Sequence, residues 1–148
     1  MLEERLKIIL NESNFVSSYK SLQEEFEAPA KNAEYVPSQK DVLEILNSKN
    51  YKAQYFASEK FYKIADTVNG TLVQLNLAFP GSGHKIECIL YVENKNENLK
   101  GGGPFTLLVS SLTDNEYQAK RIPFSNKDQL EKILDRILIM YESIKKHV

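Results

Sequence analysis

Tryptophan is absent, cysteine occurs once and histidine twice in 148 residues. The single Cys88 excludes an internal disulfide and fits a reducing compartment. With only His84 and His147 beside it, a structural zinc site lacks enough soft ligands, so no metal or other cofactor is expected. A hydrolytic triad needs nucleophile, base and orienting group within hydrogen-bond reach, and the one local Cys/His pair is His84 with Cys88. Their spacing puts both on one side of a strand, but Ile86, Leu90 and Val92 share that side, so Cys88 reads as a small buried hydrophobe. Long apolar runs are also missing. The longest, Ile137–Tyr141, is far short of the ~20 residues that span a bilayer. The Met1–Lys7 segment is charged and lacks the apolar core of a signal peptide. A cytoplasmic protein without a membrane segment is expected. Net charge is −1, so no global field attracts nucleic acid.

What is present centres on Thr71–Leu112. Val73, Leu75, Leu77 and Phe79 alternate with Leu72, Gln74, Asn76 and Ala78, the period of a strand with one apolar face. Asn69-Gly70 before it carries the strongest short hairpin signal, and Pro80–Gly83 after it has turn chemistry. A second strand runs from His84 to Glu93. Ile86, Cys88, Leu90 and Val92 face one way; Lys85, Glu87, Ile89, Tyr91 and Glu93 face the other. Phe105–Leu112 reads as a third strand, apolar on both sides, and Asn94–Gly103 as a polar, glycine-rich loop leading to it.

The rest of the chain is helical at both ends. Leu2, Leu6, Ile9 and Leu10, then Phe15, Tyr19, Leu22 and Phe26, fall at helical spacing. They predict one helix from residue 2 to about 27, or two with a break near Asn11–Asn14, ended by Ala28-Pro29. Ser38 N-caps a short helix reaching about Lys49, with Asp41 at its positive end. Ser125–Asp128 repeats that start signal before the last helix. Tyr51–Ala57 and Lys60–Val68 suit a hairpin around Ser58-Glu59, although Phe56, Phe61, Tyr62, Ile64 and Ala65 also tolerate a helix. Thr113–Gln118 reads as a polar turn and Ala119–Phe124 as a short extended segment. Leu130, Ile133, Leu134, Ile137, Leu138, Tyr141 and Ile144 form the stripe of a helix laid on a core. A chain of this length buries ~70% of its unfolded surface, enough for one domain without staples. The pattern defines a single α+β domain over 1–148. Its antiparallel meander of about four to five strands is packed by N-terminal helices and a long C-terminal helix.

No motif carries chemistry. Gly101-Gly-Gly-Pro104 lacks the lysine and the following helix of a phosphate loop and reads as a connection, or as a partner-binding loop with Phe105. Glu24, Glu25 and Glu27 read as a solvated helix face, and Asp114 with Glu116 as turn residues. No catalytic residue is assigned. The surface that stands out is the second face of the sheet: Gln74, Asn76, Lys85, Glu87, Ile89 and Tyr91. It is a solvated face, one covered by the N-terminal helices, or a protein-binding surface, where tyrosine is favoured.

In size, layout and want of catalytic residues the chain resembles the small immunity proteins of bacterial polymorphic and contact-dependent toxin systems. The likeness rests on the meander from Lys60 to Leu112, the Gly101–Phe105 turn-in and the long final helix. It implies stoichiometric binding that blocks a toxin. Residues 1–50 hold six Lys/Arg and nine Asp/Glu, net −3, which would suit a basic toxin domain. Partner-binding residues expected on this basis are Gln74, Asn76, Glu87, Ile89, Tyr91 and Phe105. A small-ligand carrier, or a hydrolase with an unrecognised carboxylate site, is the alternative.

Overall fold

The computed structural model describes residues 2–27 and 34–148. The Glu3 carboxylate accepts hydrogen bonds from the backbone N–H groups of Arg5 and Leu6 (3.0 and 3.1 Å), starting α1 (Glu4–Glu12). Asn14 then turns left-handed, at φ 57°, a conformation asparagine tolerates better than most residues. That residue breaks the predicted N-terminal helix, and α2 follows as Phe15–Glu25. The stop expected at Ala28-Pro29 lies outside the described residues. Ser38 caps α3 (Gln39–Ser48) as predicted, its Oγ accepting from Asp41 N–H at 3.1 Å.

The strands are β1 (Gln54–Phe56), β2 (Phe61–Val68), β3 (Thr71–Ala78), β4 (Lys85–Asn94), β5 (Leu99–Pro104) and β6 (Ile122–Pro123). The first five lie in chain order, each antiparallel to the next, and β6 pairs β4 beyond the end of β5. The hairpin expected around Ser58-Glu59 joins β1 to β2. Asn69 and Gly70 take φ 51° and 79° between β2 and β3, as a primed two-residue turn requires.

Alternation divides the sheet into two faces. Val73, Leu75 and Leu77 of β3 and Ile86, Cys88, Leu90 and Val92 of β4 are buried. On that side lie the five α-helices of the described residues, including α4 (Phe105–Leu112) and α5 (Lys127–Lys145). The predicted α5 stripe is buried in full. Its Tyr141 hydroxyl reaches the sheet, donating to Asp66 Oδ2 at 2.8 Å, with the Val73 carbonyl at 2.9 Å. Lys145 adds ion pairs to Asp66 (3.1 Å) and Glu142 (2.9 Å).

Three sequence expectations are corrected. Phe105–Leu112 is a helix, not a strand. Phe105, Leu108 and Val109 are buried while Leu107 is 62% exposed; a strand would have put Leu107 on the face of Phe105 and Val109. The third strand of the segment lies further upstream, where a glycine-rich loop was expected. The connection from β4 is only Lys95–Asn98, closed by the Asn94 side chain, whose Oδ1 accepts from Asn96 and Glu97 N–H (3.1 and 3.2 Å). Finally, the cap of α5 is one residue later than expected. Asn126 Oδ1 accepts from Gln129 N–H at 2.8 Å, and Gln129 Oε1 accepts from Ser125 N–H at 2.7 Å, a reciprocal arrangement that satisfies two N-terminal donors.

Candidate partner-binding face

Strand register assembles the second face of the sheet. Lys63, Asn76, Ile89 and Pro104 form one row across β2–β5, and Ala65, Gln74, Tyr91 and Gly102 the next. Gln74, Asn76, Glu87, Ile89 and Tyr91 are each partly exposed. Among the described residues no helix lies over them: Ile89, Leu72 and Phe61 stay outside the apolar cluster that joins helices to sheet. Of the three readings of this face, coverage by α1 and α2 is therefore excluded, because both pack on the other side.

Its polar groups are tied mainly to one another. Gln74 Nε2 donates to Asn76 Oδ1 at 3.0 Å, Tyr91 Oη to Glu93 Oε2 at 2.8 Å, and Arg121 Nη2 to Glu87 Oε1 at 3.2 Å. The bond to Glu93 raises the Tyr91 hydroxyl above its usual pKa, with partial desolvation second. At one corner the Phe56 and Phe61 rings stack, centroids 5.0 Å apart, with the Lys63 ammonium 5.9 Å from the Phe56 centroid. At the opposite edge Gly102 stands opposite Tyr91 and gives it no side-chain neighbour on β5. A Cβ on Gly102 would lie 2.0 Å from the Leu90 carbonyl oxygen.

The structure brings together five of the six predicted residues and removes the sixth. Phe105 is buried, 1% exposed, edge-to-face with Phe15 at 4.9 Å and Tyr19 at 6.2 Å between centroids. It is a core anchor because Pro104 ends β5 and α4 turns immediately onto the helical side. The sequence reading missed Lys63, Lys100 and Arg121 on or beside the open face. Strand parity alone placed Lys63 there; Lys100 depends on β5, which no periodicity announces.

A second concavity lies where α5 meets the edge of β2. It has a volume of about 550 Å³ and is bordered by Tyr51, Asp66, Glu142 and Lys145. Its polar groups satisfy each other. Tyr51 Oη donates to Glu142 Oε2 at 2.5 Å, and Lys145 bridges Asp66 and Glu142. Burial and the neighbouring carboxylates push the Tyr51 and Tyr141 hydroxyls well above the ordinary tyrosine range, so neither is poised as a base at neutral pH. This cluster acts as a clamp between α5 and the sheet. Cys88 is buried, and burial pushes its thiol up, away from the reactive thiolate. His84 Nδ1 lies 3.0 Å from the Tyr35 carbonyl. Among the described residues no group of three His, Cys, Asp or Glu side chains could hold a metal ion, and no helix is long and apolar enough to cross a membrane.

The architecture defines an α+β protein with one helix-covered sheet face and one open face. No family model, curated protein or solved structure matches the chain.

Proposed function

We propose that this chain is a non-catalytic, cytoplasmic protein-binding module whose open sheet face seats its partner, and that it serves as an immunity protein neutralising a cognate bacterial toxin. The observation that carries the reading is the uncovered face. Ile89 and Tyr91 lie at its centre, a single hydrogen-bonded amide pair, Gln74–Asn76, stands beside them, and bare glycine backbone flanks the tyrosine. A rigid sheet loses little entropy on docking, and a half-exposed tyrosine supplies contact area with a polar tip. The immunity role draws on the resemblance in size and layout. The rival reading, a small-ligand carrier, draws on the volume of the cleft beside α5, but there Tyr51 and Lys145 are already engaged.

The test is co-expression with each protein domain encoded by the genes adjacent to this one, a toxin among them being what the reading requires. Expression of that toxin domain alone should arrest growth, and the chain should relieve the arrest by forming a stoichiometric complex. Ile89→Asp with Tyr91→Ala should weaken that complex about tenfold or more while leaving the melting temperature unchanged. Rescue that persists undiminished in the double variant removes this face from the reading; failure of the unaltered chain to rescue removes the immunity role.

A further inference from the structure

The acidic excess of the first third lies on α1, α2 and their flanks: Glu3, Glu4, Glu12, Glu24, Glu25 and Glu27 against Arg5, Lys7 and Lys20. That is the helical side of the sheet. The open face has the opposite balance. Lys63, Lys85 and Lys100 project on it by strand parity, and Arg121 stands beside Glu87. Its two carboxylates are engaged, Glu87 by Arg121 and Glu93 by the Tyr91 hydroxyl. Lys85 and Lys100 are exposed and have no ion pair among the described residues, and Lys63 has only the Phe56 ring. The Tyr91 hydroxyl is neutral and leaves the Glu93 charge in place, with Lys100 opposite it across β4 and β5; four cations, Lys63, Lys85, Lys100 and Arg121, against the two carboxylates leave this face positive by two.

We infer that the partner meets this face with an acidic surface, its carboxylates ringing an apolar or aromatic centre that packs on Ile89 and Tyr91. The inference rests on the proposed binding role of the face. The lysines occupy its margins: Lys63 on β2, Lys100 on β5, and Lys85 at the far end of β4. With strands ~4.8 Å apart and ~3.4 Å per residue, they bound a patch within a standard interface of ~800 Å² per partner. A neutral centre with a charged margin is the usual anatomy of a protein interface, and marginal charges act chiefly on encounter rate and partner choice. Nucleic acid fits less well. Sequence-independent binding to a duplex commonly engages ~6–10 phosphates, whereas here three lysines lie at separate margins, on a chain of net charge −1.

The test is an amide-resolved NMR titration of the full chain with three probes: polyglutamate, polylysine and oligothymidylate. Polyglutamate should move the amides of Lys63, Lys85, Ile89, Tyr91 and Lys100. Lys85→Glu with Lys100→Glu should weaken it on the order of fivefold, and raising salt to ~0.15 M should weaken it further. Lys100 stands opposite Glu93 in the register, so its reversal sets like charges facing each other and should lower the melting temperature slightly; Lys85→Gln with Lys100→Gln adds no repulsion, should keep the melting temperature and should still weaken polyglutamate binding. Polyglutamate that leaves these amides unmoved overturns the inference. So does oligothymidylate that moves them at lower concentration than polyglutamate, or polylysine that binds this face and not α1 and α2. If the charge reversals have no effect while Ile89→Asp with Tyr91→Ala still abolishes growth rescue, the acidic-partner inference falls and the binding role of the face stands.

Discussion

Among single residues, Gly102 carries the clearest constraint. Its φ is +137°, and an added Cβ would meet the Leu90 carbonyl oxygen at 2.0 Å. The obstacle is backbone of the paired strand, which cannot swing aside as a side chain can. Gly101 differs: its Cβ would meet the tip of Leu6 at 3.2 Å, and that side chain can yield. Gly102→Ala should therefore lower stability by at least ~1–3 kcal/mol from backbone strain alone, and more than Gly101→Ala does, as read from urea midpoints at constant slope. Equal losses at the two positions would mean that β5 does not approach β4 as described. The glycines read in sequence as a flexible connection, yet Gly102 is what lets the glycine-rich middle of β5 pair closely with β4.

At the scale of elements, α4 and α5 give opposite expectations for neighbouring kinds of residue. Leu134 is fully buried in α5 and Leu107 is exposed on α4. Leu134→Ala should cost ~2–5 kcal/mol, and Leu107→Lys less than about 0.5 kcal/mol, both measured by chemical denaturation. A large loss at Leu107 would restore the strand reading of that segment. The alternation of β3 and β4 was legible because a half-buried strand writes its two faces into every second residue. That alternation also made Gln74, Asn76, Glu87, Ile89 and Tyr91 identifiable as a group. The stripe of α5 was legible for the equivalent reason at helical period. Phe105–Leu112 was not, because an eight-residue run that is mostly apolar satisfies both periods; packing of Phe105 against Phe15 and Tyr19 decides for helix. β5 escaped because its three glycines have poor strand propensity, and pairing with β4 holds it instead. The misplacement of Phe105 among surface residues followed from these two errors, as did the omission of Lys100.

For the molecule as a whole, tyrosine hydroxyls join the helical layer to its surroundings. Tyr19 donates to the Lys120 carbonyl at 2.6 Å, Tyr35 to Asp41 at 2.8 Å, Tyr51 to Glu142 at 2.5 Å and Tyr141 to Asp66 at 2.8 Å. Burial is the largest cause that raises all four above the ordinary value, joined by the nearby carboxylates at the last three. Above pH ~10 the unfolded chain loses these protons while the folded chain keeps them, so stability falls as pH rises. Lys145 and Lys127, whose pKa values are raised by their carboxylate partners against desolvation, add in the same direction, their contribution being complete below their unfolded value and lost through the folded one. The melting temperature should drop steeply between pH ~9 and ~11, and Tyr141→Phe should flatten that drop while costing ~1 kcal/mol near neutrality. A flat profile across this range would show that the hydroxyls are not held as described.

α5 leaves the ribosome after all six strands, although its side chains complete the floor beneath them. The hairpins from β1 to β4 join near neighbours in sequence and can zip as they emerge, whereas the oily underside of that ribbon must wait for Leu130–Ile144 to arrive. Nascent chains halted before α5 would leave the core face around Val73 without the cover that Tyr141 supplies, and chaperones should hold them until synthesis resumes.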